Sequence, residues 1–271
     1  MKRIIPVFLL MLTAFHLNAQ NRTLKQVSTL QMSRTIDHEM PGTRGASVVW
    51  HPIQKKYYAA MAGNAAYPLC IFDAGGKRLS DDEQNCLKDI RGLWYNPEKK
   101  NIQGNCFAEG GWFEYKLNTK GMIDDAGTLN EGMHQPGEQC SGTYNVALKE
   151  IMFLDNGTVY AYSGDGNVSG NSVTIHWGKR KKDNAETQSE VMTPENYNYT
   201  SVIYTGIKGS ELGFLNIDLN QIELYDFKEG YLSAVLSLPS DAVTEPNFNF
   251  AFTNNTYWLF NIEKRTWFGY R

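Results

Sequence analysis

The chain has 271 residues, of which 42% are hydrophobic and 20% are charged, and this composition is typical of a globular protein rather than a disordered one. The 26 basic and 29 acidic side chains give a net charge of −3. No positive excess is available to collect nucleic acid or an anionic membrane surface, so the composition argues against both as partners.

Residues 1–19 predict a signal peptide. Lys2 and Arg3 precede an apolar run over 4–12, and Ala19 offers a small residue for cleavage. The run is shorter than the roughly 20 residues that a membrane span needs. We therefore expect export to the periplasm or the medium, and a protein that does not span the membrane.

The remaining sequence repeats a pattern of strands. Residues 50–56 and 94–100 each contain a polar turn with a proline between two β-rich stretches, which predicts a hairpin. An Arg-Gly pair precedes both, at Arg44 and Arg91. A third strand then ends in a glycine-rich turn, as at 73–76, and a fourth strand follows.

The last repeat has only three strand-like stretches, within 247–271. A further strand-like segment, 24–36, precedes the first repeat, and we predict that it supplies the missing outer strand and closes a ring. Four-stranded units closed in this way resemble the β-propeller superfamily, here an all-β, five-bladed protein of secreted bacterial type. A two-sheet sandwich is the alternative. The predicted single domain covers 20–271, with blades at 44–88, 89–139, 140–199, 200–246, and 247–271 plus 24–36.

The resemblance implies a ligand at one end of the central channel, where loops join successive blades. Each of these loops carries a glutamate shortly before the next blade begins, at Glu39, Glu83, Glu138, Glu195 and Glu245. Five carboxylates facing a channel would repel one another unless a cation such as calcium or a basic side chain neutralised them. Arg44 and Arg91 follow two of the glutamates. The alternative is that the glutamates are turn residues facing solvent, with no cofactor.

Two histidines fall in the same loops. His134 lies near Glu138, and His38 adjoins Glu39. Either pair predicts a transition-metal ligand or an acid–base pair, and an ordinary surface histidine is the alternative.

Four cysteines occur, at Cys70, Cys86, Cys106 and Cys140. An even number in an exported protein predicts up to two disulfides, in any of three pairings. The spacings are too long for the close pairs of a structural zinc site. Buried free thiols are the alternative.

These patterns predict a monomeric binding or interaction module with a carbohydrate or a protein as partner. Carbohydrate is the first ligand class, because loop aromatics such as Tyr67, Tyr197 and Tyr199 offer rings for stacking on sugars. A carbohydrate-active hydrolase or lyase using loop carboxylates is the second interpretation, although no predicted inner strand begins with a carboxylate. A structural component of an envelope assembly is the third.

Overall fold

The described residues form a five-bladed β-propeller, which confirms the predicted fold class. The computed structural model describes residues 22–33, 44–183 and 192–271, so the predicted signal peptide lies outside them. Five small sheets stand in a ring around a central channel, and the innermost strand of each blade contacts that of the next blade. None of the helices in the described ranges is long and apolar enough to cross a membrane.

The strands follow the chain around the ring. The N-terminal segment contains β1 (Arg22–Thr23) and β2 (Gln26–Gln31). Blade 1 contains β3 (Arg44–His51), β4 (Lys56–Ala62) and β5 (Leu69–Asp73). Blade 2 contains β6 (Ile90–Asn96), β7 (Asn101–Cys106), β8 (Trp112–Leu117) and β9 (Ile123–Asn130).

Blade 3 contains β10 (Thr143–Asn145), β11 (Glu150–Asp155), β12 (Thr158–Tyr162) and β13 (Val173–Thr174). Blade 4 contains β14 (Ile203–Tyr204), β15 (Leu212–Asn216), β16 (Gln221–Tyr225) and β17 (Leu232–Ser237). Blade 5 contains β18 (Phe250–Thr253), β19 (Thr256–Asn261) and β20 (Thr266–Tyr270). Two single 3₁₀ turns lie at Ala108–Gly110 and Lys181–Asp183.

The hydrophobic core lies in the seams between blades. On β4, Tyr57 and Ala59 pack toward blade 5, whereas Tyr58 and Ala60 pack toward blade 2. This alternation follows from the two-residue period of a strand. Each of the five seams holds one such apolar cluster. One blade alone would leave both faces in water, so the fold depends on a complete ring.

The N-terminal segment 22–33, which we call the N-terminal strap, closes the ring. Strand β2 pairs antiparallel with β20 and completes blade 5, as the sequence predicts. Strand β1 pairs in parallel with β17 on the outer edge of blade 4. The backbone N–H of Ser33 then donates to Sγ of Cys70 in blade 1 at 3.2 Å. The strap therefore touches three successive blades.

Blade 1 departs from the four-strand pattern. Its outer edge makes only two isolated bridges, one between Pro68 and Asn85 and one between Phe72 and Arg78. The next two N–H groups, of Leu79 and Ser80, both donate to the carbonyl of Ile71. Ser80 Oγ also accepts the N–H of Ile71 at 3.1 Å. A side-chain hydrogen bond therefore takes the place of one backbone hydrogen bond of a regular strand pair.

The prediction of disulfides is wrong, because all four cysteines are free and buried. The thiols have separate surroundings. Sγ of Cys70 contacts Oγ of Ser33 at 3.4 Å, and Sγ of Cys140 donates to the carbonyl of Leu154 at 3.2 Å. Burial raises the pKa of Cys106 to about 11 and the pKa of Cys140 to about 12. These cysteines act as small apolar core residues.

Candidate functional site

The central channel has two different ends. At one end, which we call the hairpin end, short turns join the first strand of each blade to the second. At the other end, the loop end, longer segments join one blade to the next. The five inner strands β3, β6, β10, β14 and β18 run from the loop end to the hairpin end.

A cavity of about 290 Å³, the channel cavity, opens at the hairpin end. All five blades line it, which places it on the axis of the ring. The lining residues are Val48, Val49, Leu93, Trp94, Tyr95, Pro97, Thr143, Tyr144, Val146, Tyr204, Thr205, Gly206, Phe252 and Thr253.

Aromatic rings and hydroxyl groups dominate this lining. Tyr144, Tyr204 and Phe252 are half-buried, so part of each ring remains accessible. Burial raises the pKa of Tyr144 and Tyr204, so both phenols stay protonated and can donate hydrogen bonds. Among the described residues that line the cavity, none is acidic, basic or a histidine. The lining can pack against an apolar face and hydrogen-bond to a polar edge.

A second cavity of about 450 Å³, the seam groove, lies beside the first at the hairpin end. It runs between blades 3 and 4, and Tyr204 lines both cavities. The groove is lined by Asn145, Ala147, Leu148, Gly170, Asn171, Ser172, Tyr204, Glu211, Phe227 and Lys228. The side chain of Glu211 is fixed, because its two oxygens accept the N–H groups of Gly209 at 2.6 Å and Phe227 at 3.1 Å.

Side chains close the loop end. The guanidinium of Arg91 is 4.7 Å from the ring centre of Phe107 and 5.5 Å from that of Phe248. Arg91 belongs to blade 2 and Phe248 precedes β18 of blade 5, and these blades are not neighbours. Their contact therefore reaches across the channel. Nη1 of Arg91 also lies 2.6 Å from Asp89, and its Nε donates to Gln139 at 2.8 Å.

Backbone hydrogen bonds tighten the same end. The N–H of Ser141 donates to the carbonyl of Thr200 at 2.8 Å, and the N–H of Asn249 donates to the carbonyl of Gly45 at 2.9 Å. Each bond joins segments at the starts of two neighbouring inner strands. Direct pairing of this kind leaves little width between the strands at this end.

None of the described glutamates among the five predicted ones lines either cavity. Glu83, Glu138 and Glu195 are exposed, Glu245 is half-buried, and Glu39 lies outside the described residues. Within the described ranges, no three His, Cys, Asp or Glu side chains are placed to hold a metal ion.

The predicted basic residues have different surroundings. Arg91 is buried in the closure of the loop end. Arg44 is half-buried at the start of β3, and its Nε is buried without a hydrogen-bond partner. The two ring nitrogens of His134 contact backbone carbonyls, at 3.0 Å from Gly166 and 2.8 Å from Glu131. His134 thus links blades 2 and 3, and His38 lies outside the described residues.

The aromatics predicted to stack on sugars are also dispersed. Tyr197 is buried, and its hydroxyl donates to Glu223 at 2.7 Å. Tyr67 is half-buried, and Tyr199 is exposed at the loop end. None of the three lines either cavity.

Sequence reasoning missed the aromatic residues of the channel cavity, although they follow a repeat. In each inner strand, either the last or the second-last residue is aromatic. These residues are Trp50, Tyr95, Tyr144, Tyr204 and Phe252. Four of them line the cavity, and the ring of Trp50 instead packs on Tyr57 with ring centres 4.6 Å apart.

Comparisons with known proteins support the fold. No protein-family model matches the chain, and no curated protein matches it significantly. The glutaminyl cyclase of Myxococcus xanthus is similar in structure, with a TM-score of 0.54 and 12% sequence identity, over 92% of this chain and 96% of the cyclase. A gluconolactonase from Xanthomonas campestris has a TM-score of 0.47 and 10% identity, over 86% of this chain and 73% of that enzyme. At these identities the likeness shows the fold alone.

Proposed function

We propose that the protein is an exported binding module that holds a carbohydrate in the channel cavity. The ring of aromatic residues supplied by successive blades carries this proposal. A sugar ring has an apolar face of C–H groups and a polar edge of hydroxyls. The lining offers matching partners, because Tyr144, Tyr204 and Phe252 present rings and the threonines present hydroxyls.

The chemistry of the lining favours binding over hydrolysis. Glycoside hydrolases need two carboxylates on either side of the scissile bond. No carboxylate is among the described residues of the channel cavity, and Glu211 is the one carboxylate among those of the groove beside it. The activities of similar propellers, such as glutaminyl cyclase, are therefore not part of this proposal.

A panel of oligosaccharides titrated by calorimetry tests the proposal. We expect one class to bind, and Tyr204→Ala to weaken that binding about fivefold, since one stacked ring is worth roughly 1 kcal/mol. Tyr199→Ala is the matched control, because Tyr199 is an exposed tyrosine at the other end of the channel. The control should bind like the parent.

Three results would overturn the proposal. If Tyr199→Ala loses binding and Tyr204→Ala does not, the ligand sits at the loop end. If bound oligosaccharides are cleaved, the protein is an enzyme. If no oligosaccharide binds but the protein is recovered in a complex from intact envelopes, it is an assembly component. Recovery of the full-length chain in the cytoplasm, with residues 1–19 intact, would contradict export.

A further inference from the structure

We infer that the carbohydrate is acidic, and that it extends from the channel cavity into the seam groove, where Lys228 faces a carboxylate or sulfate of the neighbouring sugar unit. This inference rests on the proposed function and names its ligand class. It is carried by the charge at the two ends of the channel, by the ion pairs of the lysines, and by Tyr204, which lines both cavities.

Charge is distributed unevenly between the two ends. The turns that follow the inner strands at the hairpin end carry Lys55, Lys99, Lys100, Lys149 and Lys208, with Glu98 and Glu211. The loops and turns of the loop end carry thirteen described acidic and nine described basic residues. These are Asp81, Asp82, Glu83, Asp89, Glu109, Glu131, Glu138, Asp183, Glu195, Asp218, Asp241, Glu245 and Glu263, with Arg44, Lys88, Arg91, Lys179, Arg180, Lys181, Lys182, Lys264 and Arg265. The turns farther from the axis at the hairpin end carry both acidic and basic side chains. The cavity therefore opens on the basic side of an acidic protein.

The negative charges at the hairpin end are largely occupied. Glu98 forms an ion pair with Lys149, and Glu211 accepts two backbone N–H groups. In contrast, Lys99, Lys208 and Lys228 form no ion pair with a described carboxylate. Lys99 and Lys208 belong to turns whose Pro97 and Gly206 line the channel cavity, and Lys228 lines the seam groove, so their charges are placed beside a ligand there.

The backbone of these turns shows a related feature. Lys55, Lys100 and Lys149 occupy the same position, the last residue of a four-residue turn, with φ of 52°, 55° and 61°. Asparagine and glycine adopt this left-handed conformation more easily, and a turn at the loop end of blade 4 uses Asn220 there. The equivalent turn at the loop end of blade 5 has Arg265 there, with φ of 49°, so a basic residue at this position is not confined to the hairpin end.

The seam groove fits the next unit of a chain. Tyr204 lines both cavities, so the groove adjoins the channel cavity at this side chain. Phe227 supplies a second ring, and Asn171 and Ser172 supply polar groups. Lys228 is exposed and is the only cationic side chain among the described groove residues, which makes it the partner for an anionic group.

The test compares three probes of equal length by calorimetry at low salt. These are an oligogalacturonate, the same chain with its carboxylates reduced to alcohols, and a sulfated neutral chain. We expect the oligogalacturonate to bind at least tenfold more tightly than the reduced chain, and this preference to shrink as salt rises. Comparable binding of the sulfated chain would identify negative charge as the recognised feature, and weaker binding would identify the carboxylate.

Two variants assign the effect. Lys228→Gln should weaken oligogalacturonate binding roughly five- to tenfold and leave the reduced chain unchanged. Lys25→Gln, which removes an exposed lysine on the N-terminal strap, is the matched control and should change neither.

The outcomes separate this inference from the proposed function. Equal, salt-independent binding of the acidic and reduced chains would overturn the inference and keep the carbohydrate site. Binding of none of these three chains would overturn the inference, and the oligosaccharide panel would then decide the proposed function. Equal binding of every polyanion, DNA included, with no effect of Tyr204→Ala would show nonspecific attraction to the lysines and would also overturn the inference.

Discussion

The two ends of the central channel use the same five strands for opposite purposes. At the loop end, Arg91 lies against Phe248 across the axis, and neighbouring inner strands hydrogen-bond directly to one another. At the hairpin end, aromatic side chains line an open cavity beneath a rim of lysines. The long loops thus surround a closed end and the shortest turns surround an open one. Loop length shows where the sequence can vary. It does not show which end of the channel is open, because side chains on the inner strands determine where a cavity forms.

Both ends depend on a closed ring, so the largest loss of stability should follow deletion of the N-terminal strap that closes it. Deletion of residues 22–33 exposes the edges of β17 and β20 and removes Leu24 and Leu30 from two seam clusters. We expect loss of the cooperative thermal transition, measured by circular dichroism. A truncated protein that melts like its parent would contradict closure by the N-terminal strap.

The closed end should be the more sensitive to loss of a single charge. Arg91→Met removes a buried guanidinium and leaves Asp89 without its partner, so we expect the free energy of unfolding to fall by roughly 2–4 kcal/mol in a urea titration. The matched control is Arg78→Met, which breaks the more exposed pair with Asp82 at 2.7 Å and should cost under about 1 kcal/mol. Equal losses would mean that the loop end is not held by Arg91.

The four thiols all lie toward the closed end, where burial should protect them. Because the pKa of Cys106 is raised to about 11, its thiolate at pH 8 is roughly 100-fold rarer than that of an ordinary cysteine. We expect the thiols of the folded protein to react slowly with a thiol reagent. In the unfolded protein, without reductant, four thiols per chain should react. Fewer than four would restore the disulfide prediction.

The hairpin end should give the smallest effect, a dependence of stability on pH. Burial lowers the pKa of His51 below its ordinary value of 6.5, and its Nδ1 accepts the N–H of Gln54 at 3.3 Å. Between the lowered pKa and 6.5 the unfolded chain binds more protons, so stability is complete above pH 6.5 and falls as the pH drops below it. His51→Gln should reduce this slope in urea titrations between pH 7 and pH 5. An unchanged slope would assign it to other groups.

The ring of blades could be predicted because it repeats. The paired turns at 50–56 and 94–100 mark equivalent hairpins, and the unfinished last repeat requires a strand from elsewhere in the chain. Strand β2 meets that requirement by pairing with β20. Periodicity and counting are properties of the sequence alone, so both conclusions were within its reach.

The site could not be predicted in the same way. Nothing in the order of residues shows that Phe248 reaches Arg91 across the axis, because that contact depends on how the ring places blades 2 and 5. Likewise, an even number of cysteines does not show which seam between blades each thiol lies in, and so does not show whether any two are close enough to pair. One usable signal was present, since Tyr95, Tyr144 and Phe252 recur before successive turns. An aromatic repeat on the inner strands was a better guide to the cavity than the glutamates in the loops.

The N-terminal strap also imposes an order of events on the growing chain. Strand β2 pairs with β20 of blade 5, with Leu30 opposite Trp267, so an early segment of the chain waits for a much later one. Such pairing across nearly the whole sequence raises the contact order and slows the final step of folding. Until that step the outer edges of two blades stay unpaired and prone to association with other chains.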